Sequence, residues 1–197
     1  MTTTSQAISL KGKIAFISGA SKGIGVEIAA VLSAAGADLA LTARNEQELE
    51  QTAEAARKNG VKVWTKTAEM GDAYDVKALA QAVLAEFGRV DILVNNAGVA
   101  KHEPFLDVEI ETFHTVMNVN LLAPFLLSQA FIPGMIERKG GKIVNISSRG
   151  AIRAIPTGAT YCASKGALQL LTQTLAVEFG SHNIQTNSIA PTVTMTP

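Results

Sequence analysis

The chain has 197 residues, of which 47% are hydrophobic, and its 17 Lys and Arg balance 17 Asp and Glu. That length suffices for one α/β domain with a sizeable core. Balanced charge argues against nucleic acid or an anionic membrane as partner, and a neutral surface does little to keep copies apart, so a homo-oligomer (tetramer or dimer) is expected.

The opening stretch MTTTSQAISLKGK has no apolar core ahead of its lysines, so no signal peptide is expected. No apolar run reaches the roughly 18 residues that a membrane span requires. The lone Cys162 excludes an intramolecular disulfide and a multi-thiolate metal site, which fits a reducing cytoplasm. His102, His114 and His182 are scattered without ligand spacing, and no metal is expected.

Short apolar runs alternate with longer helical patterns along the chain. Residues 13–18 (KIAFIS) read as a buried strand, followed by a helix on Ile24, Ile28, Val31, Leu32 and Ala35 that Gly36 stops. Residues 38–42 are a second strand and 46–58 a polar amphipathic helix. A third strand covers 61–67 and a helix 75–87, with Gly88 just beyond it. A fourth strand covers 91–95. One long helix is expected over 109–137, bent or ended by Pro124 and Pro133. Residues 142–147 form a fifth strand, 159–179 a long helix and 184–190 a sixth strand. Strands without polar alternation, separated by helices, predict a doubly wound parallel sheet covered on both faces. With no repeat or linker, residues 1–197 read as one domain. Ligands in such sheets bind outside the carboxyl ends of the strands, so the residues that follow each strand matter most.

Gly19-Ala20-Ser21-Lys22-Gly23-Ile24-Gly25 follows the first strand and opens a helix. Its glycines permit a tight turn and close approach to a pyrophosphate, which the free N–H groups of the helix start would bind. A glycine cluster alone is weak; its place between a strand and a helix is the context a dinucleotide site demands. The second strand ends at Thr42-Ala43-Arg44, not in an acid that would read a ribose 2′-hydroxyl. Arg44, with Lys22 from the glycine turn, suits a 2′-phosphate and favours NADP(H) over NAD(H); the bland alternative is two solvated cations. Asn96, Ala97 and Gly98 follow the fourth strand and let the backbone pass close to a ribose, while Asn95 ties neighbouring strands. Tyr161 and Lys165 stand at i and i+4 on a helix and share one face. An ammonium beside the phenol favours tyrosinate, which suits Tyr161 to exchange a proton with an alcohol or alkoxide.

Together the G-x-x-x-G-x-G turn, N-N-A-G at 95–98, Asn120, Ser148 and Tyr161-x-x-x-Lys165 resemble the short-chain dehydrogenase/reductase family, over essentially the whole chain. The resemblance implies a Rossmann-type fold and an oxidoreductase that moves a hydride between nicotinamide and a ketone or secondary alcohol. It implies that Tyr161 is the acid/base and that Ser148 hydrogen-bonds the substrate oxygen. Lys165 would bind the nicotinamide ribose and ease ionisation of Tyr161, and Asn120 would hold a relay water. Asn120 is chosen over Asn118 because leucine follows it, and Ser148 over Ser147 by its distance from Tyr161. Glu69-Met70 stands where the family usually has Asp and an apolar residue touching the adenine. Pro191-Thr192-Val193-Thr194-Met195-Thr196 replaces the usual Pro-Gly, and this wording is similar to that of L-xylulose/dicarbonyl reductases. By that analogy Pro191, Thr194 and Thr196 flank the carboxamide or pyrophosphate, and the substrate is a ketose, polyol or small dicarbonyl. A 3-oxoacyl-carrier-protein reductase and a non-catalytic NADP(H)-binding protein are the alternatives. Relatives continue past this motif with a lid, a last strand and helices, so a fragment or truncated form is expected.

Overall fold

The computed structural model describes residues 8–192 and 194. Six strands run parallel in one sheet: β1 (Ile14–Ser18), β2 (Asp38–Ala43), β3 (Val63–Thr67), β4 (Ile92–Asn95), β5 (Gly141–Ile146) and β6 (Ile184–Ile189). Their spatial order is β3-β2-β1-β4-β5-β6, the doubly wound arrangement whose order reverses between β1 and β4. The fold class expected from the pattern of apolar runs is therefore found. Every β1 residue is buried, as a central parallel strand covered on both faces must be.

The helices are α1 (Ile24–Ala34), α2 (Glu46–Arg57), α3 (Ala73–Phe87), α4 (Ile110–Met117), α5 (Ala123–Glu137) and α6 (Ala159–Phe179). One core lies between the sheet and α3, α5 and α6, around Phe16, Leu79, Leu127, Phe131 and Ile143, with Trp64 packed on it. The other, around Ile17, Leu39, Leu41, Leu49 and Ala53, lies under α1 and α2.

Beyond one-residue shifts at the ends of elements such as β2, α2, β4, β5 and β6, three expectations need correction. The third strand starts at Val63, not at residue 61. The third helix starts at Ala73, not at residue 75, because the Asp72 carboxylate caps it by accepting from the Tyr74 and Asp75 N–H groups. The single helix expected over 109–137 is α4 and α5 joined by one π-helical turn, Asn118–Leu122. There the Ala123 N–H reaches back five residues to the Asn118 carbonyl. Pro124, having no N–H, cannot donate to the carbonyl of Asn120 four residues earlier. The continuous stretch Ile110–Glu137 is long and apolar enough, by composition, to cross a bilayer, and half of its most apolar window is buried inside this fold.

Candidate active site

The carboxyl ends of the strands open on a cleft of about 980 Å³. It runs from the β2 and β3 ends, past the reversal point between β1 and β4, to the start of α6.

In the middle of the cleft the glycine turn packs against the loop after β4. The Ser18 hydroxyl accepts from the Asn96 and Ala97 N–H groups, at 3.1 and 3.0 Å. The Asn96 amide in turn donates to the Ser18 and Gly19 carbonyls. Gly19 has φ +67°, and a methyl there would lie 2.8 Å from the Ala97 Cα; only glycine allows this turn and this approach together. A methyl on Gly25 would lie 2.2 Å from the Gly19 carbonyl oxygen. Gly23, at the start of α1, has φ +57°, and no side chain caps this helix. The first N–H groups of α1 are thus left to an anion. Gly19, Ser21, Lys22 and Ile24 line the cleft, as do Asn96, Ala97 and Gly98; Gly23 and Gly25 shape the turn from behind.

At the β2–β3 end stand Arg44, Glu69 and Met70. Lys22 pairs with Glu48 at 2.8 Å, and Arg44 with Glu69 at 3.9 Å. Glu69 curls back, so that one carboxylate oxygen accepts from the Gly71 N–H at 3.0 Å. Met70 is buried in the core below.

At the other end Ser148, Tyr161 and Lys165 share the cleft wall with Pro191 and Thr194. Thr196 lies outside the described residues. Ser148 follows β5, and its oxygen accepts from the Gly150 N–H at 3.0 Å, which leaves its O–H to point elsewhere. Tyr161 sits in the first turn of α6, its ring 6.2 Å from that of His102. Lys165 comes one turn later and is only 4% exposed. Its ammonium donates to the Ile146 carbonyl at 2.7 Å. Burial pushes its pKa down from 10.5 to about 8, because a charged amine loses its water there.

Asn120 does not line the cleft; it is fully buried behind it, in the π turn. Its Oδ1 accepts from the Val99 N–H at 2.8 Å, while its Nδ2 donates to the Val99 carbonyl at 2.9 Å and to the Ser164 hydroxyl at 3.0 Å. The side chain therefore clamps the loop after β4 to α6. A methyl on Gly98 would lie 3.3 Å from the Lys165 Nζ and 3.4 Å from the Asn120 Oδ1, so the clamp and the amine flank one glycine.

Behind the site runs a buried polar chain. Asn95 donates to Asn145, which donates to Thr172, which donates to the Leu168 carbonyl. It joins β4 and β5 to α6, which extends to three elements the strand tie expected of Asn95.

The sequence reading missed Glu48, Ser164 and the Ile146 carbonyl. Ser164 carried a usable signal, standing three residues past Tyr161 on the same helix face. Glu48 carried none beyond its place in the first turn of α2. Cys162 is half-buried, and a methyl on Gly150 would lie 3.4 Å from its sulfur.

The short chain dehydrogenase family model matches residues 13–197. The chain is 42% identical to L-xylulose reductase of Mus musculus over 192 residues, covering 96% of this chain and 75% of that protein. It is 36% identical to 2-dehydro-3-deoxy-D-gluconate 5-dehydrogenase of Formosa agariphila over 183 residues, covering 92% of this chain and 69% of that protein. Among solved structures, a metagenomic short-chain oxidoreductase in complex with NADP superposes with a TM-score of 0.89 at 37% identity, over 92% of this chain and 83% of that one.

Proposed function

The chain belongs to the short chain dehydrogenase family, and from that premise we propose that it is an NADP(H)-dependent oxidoreductase for the ketone or secondary alcohol of a ketose, polyol or small dicarbonyl. The observation that carries this reading is one cleft with a glycine cradle at its centre, Lys22 and Arg44 at one end, and Ser148, Tyr161 and buried Lys165 at the other. The dinucleotide fits that outline: the Gly19 turn leaves no room for a side chain, and the uncapped start of α1 offers its N–H groups to a pyrophosphate. Relatives named for sugar and sugar-acid substrates, and a structural neighbour with NADP, support the substrate class and the cofactor.

When bound, NADP(H) supplies or accepts the hydride at its nicotinamide ring. In the reductive direction, Ser148 donates a hydrogen bond to the substrate carbonyl oxygen, while its own oxygen accepts from the Gly150 N–H. Tyr161 delivers the proton that converts the developing alkoxide to an alcohol. Lys165 keeps two N–H donors beyond the one given to Ile146, and one of them would reach the nicotinamide ribose. Asn120 holds the loop after β4 and Ser164 with its side chain, and by the family resemblance it would hold the relay water. Glu69 and Met70 would bound the adenine, while Pro191 and Thr194 would flank the carboxamide or the pyrophosphate.

The active form is a homo-oligomer, tetramer or dimer, in a reducing cytoplasm. Exposed Ile110 and Phe113 on α4, Leu122 and Phe125 at the π turn and α5, and Leu170 and Val177 on α6 supply apolar surface for a second copy. Phe125→Glu should lower the molar mass seen in sedimentation.

The experiment is NADPH oxidation followed by absorbance with xylulose, other ketoses, diacetyl and a short 3-oxoacyl thioester, with NADH and Tyr161→Phe alongside. Ketose or diacetyl turnover with NADPH that Tyr161→Phe abolishes supports the reading. Turnover of the thioester alone moves the protein to a 3-oxoacyl reductase, and NADPH binding without any turnover makes it a binding protein.

A further inference from the structure

Four charged side chains from four different segments meet at the β2–β3 end of the cleft: Lys22 from the glycine turn, Arg44 after β2, Glu48 from the first turn of α2 and Glu69 after β3. Their formal charges cancel. The two pairs are unequal. Glu69 is tethered to its own turn through the Gly71 N–H and meets Arg44 only at 3.9 Å. The Glu48 carboxylate spans from α2 to the glycine turn and meets Lys22 at 2.8 Å. Asn45 caps α2 by accepting the Glu48 N–H at 3.2 Å, which fixes the Glu48 backbone at the cleft edge. Glu48 is thus aimed at the cation that a 2′-phosphate would use.

We infer that Glu48 is a specificity-determining residue, which competes with the ribose 2′-phosphate for Lys22 and limits the preference for NADP(H) over NAD(H). This rests on the NADP(H) reading of the cleft. A dianionic phosphate displaces a carboxylate from an exposed pair, since such a pair is weak and charge-assisted phosphate contacts are strong. Glu48 can rotate away but cannot leave, so its charge stays close to the phosphate. NAD(H) carries an uncharged hydroxyl at that position and leaves the Lys22–Glu48 pair in place. The carboxylate therefore weakens one cofactor and spares the other.

The test is the dissociation constant of NADPH and of NADH for the wild-type chain and for Glu48→Gln, read by quenching of Trp64 fluorescence or by calorimetry. Gln at the third position of a helix keeps the capping pattern, so the variant should fold. Glu48→Gln should bind NADPH about threefold more tightly at low ionic strength, the scale of one exposed charge pair, with NADH unchanged. The gain should shrink in about 0.5 M salt. The fragment 2′,5′-ADP should show the same gain and 5′-AMP none. Equal shifts for NADPH and NADH, or no shift while the wild type binds NADPH, would overturn the inference and leave the NADP(H) reading standing. A wild type that binds neither dinucleotide would overturn both.

Discussion

The Lys165 ammonium donates to the carbonyl oxygen of Ile146 at 2.7 Å, so the last residue of β5 holds the cation that stands one turn beyond Tyr161 on α6. That bond does not repay the water which the amine gives up. Burial lowers its pKa from 10.5 to about 8, so between those two values the unfolded chain binds more protons than the folded one, and the Lys165 contribution to stability rises with pH. Below about pH 8 the amine is charged in both states, and its desolvation is a constant cost to the fold. Lys165→Met removes that cost. The variant should resist urea better near neutral pH by about 1–2 kcal/mol, after losing the hydrogen bond, and the advantage should vanish above the ordinary lysine range. Its catalytic rate should collapse. Urea unfolding at neutral and strongly alkaline pH checks this; a variant weaker than wild type at both would show that the Ile146 contact outweighs burial.

Asn120 is the second buried polar group with a defined task. Asn120→Ala strands both backbone groups of Val99 and one partner of Ser164. It should cost about 2–4 kcal/mol in thermal or denaturant unfolding, the scale of several buried polar groups left unpaired. Turnover should fall as well, because the loop bearing Gly98 loses its anchor. A loss under about 1 kcal/mol would mean that water replaces the amide.

Two glycines separate crowding from backbone strain. Gly25→Ala places a methyl against the Gly19 carbonyl in a rigid turn. It should cost about 1–3 kcal/mol and weaken NADPH binding at least about tenfold. Gly88→Ala has nothing within 4 Å of the new methyl and only an unfavourable φ of +72°, at the end of α3. It should cost about 1 kcal/mol with cofactor affinity unchanged. Calorimetry and cofactor titration on the pair check the contrast.

Thr172 stands seven residues past Lys165, on the same helix face, and accepts the amide of buried Asn145 at 2.8 Å. Thr172→Val keeps the shape and leaves that donor unpaired, at about 1–3 kcal/mol. Thr172→Ser should restore most of the stability. If α6 depends on this brace to seat Lys165, the pH dependence of turnover should also shift in Thr172→Val and return in Thr172→Ser. Equal stability in all three proteins would sink the idea.

The parts of this molecule that could be read from its residues are those set by local pattern. Strands buried on both faces appear as apolar runs, and the spacing of Tyr161 and Lys165 on one helix face needs no knowledge of the rest of the fold. The glycine turn was legible because a strand precedes it and a helix follows. What escaped depends on contacts across the chain. Nothing near Glu48 says that it meets Lys22, 26 residues earlier, because that meeting is made by the β1–β2 neighbour relation. The π turn was hidden for a different reason. Pro124 and Pro133 suggest bends or ends, yet Pro133 sits inside α5, and Pro124 lies in the first turn of α5, where a missing N–H costs least. The third helix began early because Asp72 acts as its cap, a choice between two nearby acids that only the folded loop makes.

The turn at Asn118–Leu122 holds one residue more than an α-helix would use for the same advance. Each helical residue turns the chain by about 100°, so α4 and α5 are out of phase by roughly that angle compared with an unbroken helix. Substitutions within the turn change single contacts. Deletion of any one of the other four residues around Asn120 would remove the extra residue and rotate all of α4 against α5. Asn120 would then point away from Val99 and Ser164 without having been altered. The segment should therefore accept exchanges of side chain far more readily than any change in its length.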